Sequence, residues 1–293
     1  MKDKIVLITG ATGGIGKQTA ISLALLGATV VVTGRNKKSG EEALKEIIEV
    51  SKNNKIDLIL ADISTIAGIN KLASEFKSRY KRLDFLINNA GSAVNKFEKT
   101  EDGFEANFAV NVVAPYLLTT LLMENLKVAK KARVITLTGG DLPSKIDLEN
   151  LQSEKSFNGL STYSQTKMAM MCLMYEYSQR QLNSNVTMNI CYPGQASTNM
   201  TQNVTADMLP FLMRPIFPLF KLLVKADNGK SAKKASRSSV YLATSTDVEN
   251  KTGIYCNKNV QIKPMSTSVL NETNRNYIWN FVQKLTSNSL LNN

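Results

Sequence analysis

The hydrophobic pattern alternates between short continuous apolar runs and longer segments with helical periodicity. Runs rich in Val and Ile occur at Lys4–Thr9, Thr29–Thr33, Ile56–Ala61, Leu83–Ile87, Arg133–Thr138 and Val186–Cys191. Between them, Ile15–Leu26, Gly40–Ser51, Ile66–Tyr80, Gly103–Lys127 and Ser161–Leu182 predict helices. Short apolar strands separated by helices read as βαβ units and a parallel sheet buried on both faces. Right-handed crossovers then give an α/β, doubly wound, Rossmann-type sheet. Gly253–Cys256 predicts a late strand, and Asn271–Leu285 a last amphipathic helix. No linker divides the chain, so residues 1–293 are expected to form a single domain.

One segment breaks the rhythm. Met208–Val224 is apolar but carries Pro210, Pro215 and Pro218, which forbid a regular long helix. Two readings stay open: an apolar lid over a pocket, spanning approximately residues 199–228, or ordinary core or a subunit contact.

Composition removes several chemistries. The chain has no His, so a Ser-His-Asp triad, a Cys-His dyad and an imidazole-held metal are excluded. The three cysteines, Cys172, Cys191 and Cys256, are too far apart in sequence for a thiolate zinc knuckle or a redox pair. They fit a reducing compartment. No metal is expected. No stretch of about 18 uninterrupted apolar residues occurs, and no signal-peptide pattern is read, so the expected location is cytoplasmic. With 36 Lys+Arg against 24 Asp+Glu, the formal charge is +12. The basic residues are mostly scattered, and no aromatic platform accompanies them, which argues against nucleic acid. Lys225, Lys230, Lys233, Lys234 and Arg237 do cluster; they read either as a solvated helix face or as a contact for anionic lipid headgroups beside the lid.

Three motifs carry candidate chemistry. Thr9–Gly16 reads Thr-Gly-Ala-Thr-Gly-Gly-Ile-Gly, between a predicted strand and a predicted helix. In that setting a glycine-rich turn cradles a pyrophosphate, with the helix N-terminus offering free N–H groups. Gly10, Thr12, Gly14, Ile15 and Gly16 are the candidate contacts. At the end of the next strand, where an NAD site usually places an acid, the chain has Arg35 and Asn36 followed by two lysines. An Arg there suits the 2′-phosphate of NADP(H). Finally, Tyr163 and Lys167 stand four residues apart, so on a helix the phenol and the ammonium share a face. A nearby cation favours phenolate, which predicts a lowered Tyr163 pKa and a proton exchanged with an alcohol oxygen.

These residues resemble the short-chain dehydrogenase/reductase family over nearly the whole chain. Thr9–Gly16 is similar to its glycine motif, and Asn88-Asn89-Ala90-Gly91 to its Asn-Asn-Ala-Gly segment. The resemblance implies further cofactor contacts from Asp62, Ile63, Asn89, Ala90, Gly91, Pro193, Gly194 and Thr198. It implies that Asn111 positions a relay water, and that Tyr163 is the general acid or base assisted by Lys167. Within the family the chain looks most like the retinol dehydrogenase and WW-domain oxidoreductase branch, through Gly14-Ile15-Gly16-Lys17, Asp102–Glu105, Asp147–Gln152 and Trp279-Asn280. The implied activity is NADP(H)-dependent hydride transfer with an apolar aldehyde, ketone or alcohol. One position departs: where the family places its catalytic serine, this chain has Gly139. Thr138 is the neighbouring stand-in and Ser144 a more distant one. A second reading follows from that departure, an NADP(H)-binding regulatory or scaffold protein with weak or no turnover. The resemblance also allows a homodimer through the Tyr163 helix, whose Met168, Met170, Met171 and Met174 read first as core.

Overall fold

The computed structural model describes residues 1–139, 145–196 and 229–291. Its first half alternates strand and helix: β1 (Ile5–Ile8), α1 (Gly14–Leu25), β2 (Thr29–Gly34), α2 (Lys37–Ser51), β3 (Ile56–Leu60), α3 (Ile66–Arg79) and β4 (Phe85–Asn88). Then come α4 (Ala106–Phe108), a π-helical turn at Ala109–Val113, α5 (Ala114–Leu121), α6 (Met123–Val128), β5 (Ala132–Leu137), α7 (Gly159–Arg180) and β6 (Val186–Cys191). The last described part holds α8 (Lys230–Ala235), α9 (Arg237–Thr244), β7 (Tyr255–Cys256), β8 (Ile262–Lys263), α10 (Thr267–Leu270) and α11 (Glu272–Leu291).

Among the described residues the strands form one sheet in the order β3-β2-β1-β4-β5-β6-β7-β8. All neighbours pair in parallel except β7 and β8. The order reverses direction after β1, which puts a crevice outside the carboxyl ends of β1 and β4. Helices cover both faces. Leu72, Phe76, Phe108, Leu117, Met168 and Val282 pack from α3, α4, α5, α7 and α11 on one face. Ala20, Leu23, Ile47 and Leu242 pack from α1, α2 and α9 on the other. The four methionines of α7 are buried in the first core, as expected of core residues. Cys191 and Cys256 face each other across β6 and β7, both buried and reduced.

The expected strands appear within a residue or two of their apolar runs. The expected helix over Gly103–Lys127 does not form as one piece. An α-helical turn there would need Pro115 to donate to the Asn111 carbonyl, and proline has no N–H. The chain widens instead into the π turn, a local distortion found often at functional sites. The expected lid at approximately 199–228, Thr198 and Ser144 lie outside the described residues.

Candidate active site

The glycine-rich turn leaves β1 at Thr9 and enters α1 at Gly14. It is held from β4. The Asn89 carboxamide donates to the carbonyls of Thr9 (2.8 Å) and Gly10 (3.1 Å). In return the Thr9 hydroxyl oxygen accepts from the Asn89 and Ala90 N–H groups at 3.1 Å each. Space is tight enough to require two glycines. A Cβ on Gly16 would lie 2.4 Å from Asn89 Nδ2 and 2.5 Å from the Gly10 carbonyl oxygen. A Cβ on Gly34 would lie 2.3 Å from the Thr12 methyl, so the end of β2 closes directly on the turn. No side chain caps the start of α1. Its first N–H groups therefore point outward past Gly10, Thr12, Gly14 and Ile15, and the helix dipole favours an anion there.

Around this turn stand the other expected contacts. Arg35 is exposed just beyond β2 and makes no ion pair among the described residues. Asn36 caps α2, its Oδ1 accepting from Ser39 N at 3.0 Å. Asp62, beyond β3, accepts from both the N–H (3.0 Å) and the hydroxyl (2.7 Å) of Ser64 with one oxygen. Ile63, Ala90 and Thr9 line a narrow cleft with Asn88 at the carboxyl ends of β1 and β4. The turn, with the Arg35 cation beside it, suits a dinucleotide phosphate chain: free helix N–H groups stand where an added side chain would collide.

The second half of the site is built on α7. Asn158 caps that helix, its Oδ1 accepting from Ser161 N at 3.3 Å. Tyr163 and Lys167 follow on one face, with the Lys167 ammonium 5.9 Å from the Tyr163 ring centre. Lys167 is only 5% exposed, and its Nζ donates to the Leu137 carbonyl at 3.4 Å. Gly91 backs onto it; a Cβ there would be 3.3 Å from Nζ and 3.4 Å from Asn111 Oδ1. Asn111, on the π turn, is committed to structure. Its Oδ1 accepts from Ser92 N (3.0 Å), and its Nδ2 donates to the Ser92 carbonyl (2.9 Å) and to Thr166 Oγ1 (3.0 Å). Thr166 in turn donates to the Tyr163 carbonyl at 2.8 Å. One chain of bonds thus ties the loop after β4 to the turn of α7 that carries both Tyr163 and Lys167.

The electrostatics correct one expectation. The Tyr163 pKa is raised to about 12, not lowered; burial is the main cause and the neighbouring Tyr192 phenol the second. Lys167 does not offset this, because burial also acts on its own charge and pulls its pKa down to about 8. Spacing in the sequence revealed the pairing but not the loss of solvent around it.

At the end of β5, Thr138 donates its N–H to the Cys191 carbonyl at 2.9 Å. Its hydroxyl is buried and has no partner among the described residues. Gly139 follows, also buried. Beyond β6, the Tyr192 N–H donates to the Cys256 carbonyl at 2.9 Å, Pro193 is buried, and Gly194 adopts φ +88° against the Lys258 side chain. Tyr192, Ser92 and Thr166 were not among the expected site residues, whereas Thr9 opens the expected glycine motif. Each of the three had a local signal: Thr166 lies three residues after Tyr163, Ser92 follows Gly91, and Tyr192 precedes Pro193. Among the described residues no group of His, Cys, Asp or Glu is placed to hold a metal, and no helix is long and apolar enough to cross a membrane.

Comparison with known proteins agrees with this geometry. The short chain dehydrogenase family model matches residues 4–209. Human retinol dehydrogenase 13 is 34% identical over 254 residues, covering 86% of this chain and 75% of that protein. Mouse retinol dehydrogenase 12 is 35% identical over 253 residues, covering 86% and 77%. A crystal structure of an uncharacterised protein from Mycobacterium paratuberculosis superimposes with a TM-score of 0.75 at 23% identity, over 98% of this chain and 94% of that one. The chain belongs to the short chain dehydrogenase family, in its retinol dehydrogenase branch, and so to the oxidoreductases that act between CH–OH and C=O.

Proposed function

We propose that this chain transfers a hydride between NADP(H) and an apolar aldehyde or ketone, or the corresponding alcohol. The observation that carries the reading is the shared face of Tyr163 and Lys167, set beside Asn111 at the carboxyl end of the same sheet as the glycine turn. The choice of NADP(H) rests on Arg35, the cation at the end of β2 where an NAD site would need an acid. The nicotinamide, when bound, supplies or takes the hydride.

The protein's own work is to hold and move protons. With its pKa near 12 in the free protein, Tyr163 keeps its proton through neutral pH and serves as the acid in carbonyl reduction. Lys167 carries its charge below about pH 8 and steadies the developing phenolate. It would also hold the ribose of the nicotinamide half when the cofactor is bound. Asn111 holds the loop and α7 in register through its side chain. Its main-chain carbonyl, which Pro115 cannot cap in α-helical fashion, would accept from a relay water. Thr138 offers the substrate oxygen its buried hydroxyl in place of the serine replaced by Gly139. Pro193 and Gly194 support the nicotinamide end.

Gly139 also favours a second reading, a regulatory protein that binds NADP(H) with little turnover. A single set of assays separates the two. The protein is titrated with NADPH and NADH, and NADPH consumption is followed with a panel of apolar aldehydes and ketones. Tight NADPH binding with turnover supports the reductase. Tight binding without turnover, reversed in Gly139→Ser, supports the regulatory reading. Preference for NADH overturns the assignment of Arg35.

A further inference from the structure

A groove lies on the α1 face of the sheet, opposite the face covered by α7. Ser22 of α1 forms one wall, and Lys230, Lys233, Lys234, Arg237 and Tyr241 of α8 and α9 form the other. The two walls are joined by a hydrogen bond of 3.0 Å between the Thr19 and Ser239 hydroxyls. The four cations follow the spacing i, i+3, i+4, i+7, which keeps them on one side of the two short helices. All four are exposed. Among the described residues no carboxylate lines the groove and none of the four makes an ion pair.

Cations three or four residues apart on a helix stand about 5–6 Å from one another at Cβ, inside the Debye length of about 8 Å at physiological salt, so neighbouring charges repel there. A monovalent anion would relieve only one of them. A ligand with several adjacent phosphates would meet most of them at once, through charge-assisted bonds. The groove is shallow and open, so both a free ligand and a displayed headgroup have access, and the Tyr241 ring with Val240 and Val260 gives the less polar part of either a wall. Ser22 stands about 12 Å along α1 from the glycine turn, so the groove is not the dinucleotide site.

We infer that this groove is a second anion site, for a ligand carrying two or more clustered phosphate groups, free in solution or displayed as a lipid headgroup. The inference does not depend on the proposed reaction. It is tested by calorimetric titration of inorganic tripolyphosphate into the full chain saturated with NADPH. Three proteins are compared: the parent, the groove variant Lys233→Gln/Lys234→Gln/Arg237→Gln, and a control, Lys71→Gln/Lys130→Gln/Lys284→Gln, with the same change of charge on exposed sites elsewhere. The groove variant is expected to bind about tenfold or more weakly, and the control to stay within about threefold of the parent. Absence of saturable binding in the parent overturns the inference. So does equal weakening in both variants, which would reduce the effect to net charge. Thermal unfolding of each variant confirms that all are folded. Sedimentation with phosphatidylcholine vesicles, with and without phosphatidylinositol bisphosphate, then identifies the source. Capture that needs the bisphosphate and the groove cations assigns a lipid headgroup; tripolyphosphate binding without capture assigns a soluble ligand.

Discussion

The two ends of the cleft are built differently. At the glycine turn, polar groups find partners within the chain: Asn89 clasps two carbonyls, Thr9 takes two N–H groups, and Asn36 caps its helix. At the α7 end Asn111 and Thr166 are bonded, but the groups that face the chemistry have little to meet. Lys167 has one long bond to a carbonyl, the Tyr163 phenol is driven up by burial, and the Thr138 hydroxyl has no partner among the described residues. The first end is a rigid frame whose stability and shape coincide. The second holds groups in states that cost stability, as expected where the missing partners are ligands. Substitutions should therefore act in opposite directions on folding at the two ends.

The largest effect is expected at the frame. Gly16→Val forces atoms into the space held by Asn89 and the Gly10 carbonyl. It should cost about 3 kcal/mol of stability and weaken NADPH binding about a hundredfold or more, by denaturant unfolding and fluorescence titration. Lys167→Met should do the reverse to folding. The buried lysine titrates near 8, below its unfolded value, so its charge costs stability below about pH 8. That cost fades as pH rises toward the ordinary lysine value of about 10.4. The variant should gain about 1–3 kcal/mol at pH 7, lose most of that gain by pH 10, and lose turnover about a thousandfold. A loss of stability at pH 7 would break the comparison. Arg35→Ala should leave folding unchanged and weaken NADPH about 10- to 100-fold while sparing NADH. Thr138→Val, the smallest change, removes an unpartnered hydroxyl at constant shape. It should raise stability by about 0.5–1 kcal/mol and slow turnover, whereas unchanged turnover would leave the Gly139 gap unfilled.

Much of the frame is legible in the sequence because its signals are local. Strands buried on both faces read as continuous apolar runs, so β1 to β6 appear almost where the pattern places them. The glycine turn and the Tyr163–Lys167 spacing are equally local. What escapes the pattern depends on the third dimension. β8 is a two-residue edge with both residues exposed, and it leaves no apolar run. The segment stays apolar through the π turn, whose extra residue only shifts the phase of the pattern, so Gly103–Lys127 reads as one helix. α8 and α9 are rich in Lys and Ser and carry little apolar signal. The Ser92–Asn111–Thr166 link joins residues far apart in the chain, which no spacing rule connects. The direction of the Tyr163 shift also escaped, because spacing reports which groups meet and not how dry their meeting place is.

The claim at the centre of this account is that Tyr163 exchanges the proton with substrate. Tyr163→Phe removes only a hydroxyl from a helix anchored elsewhere by Asn158 and Thr166. NADPH consumption with an accepted carbonyl substrate should fall about a thousandfold in this variant while NADPH affinity stays within about threefold of the parent. Turnover that survives the substitution would contradict the assignment and move the proton donor to another group, with Tyr192 the first to test.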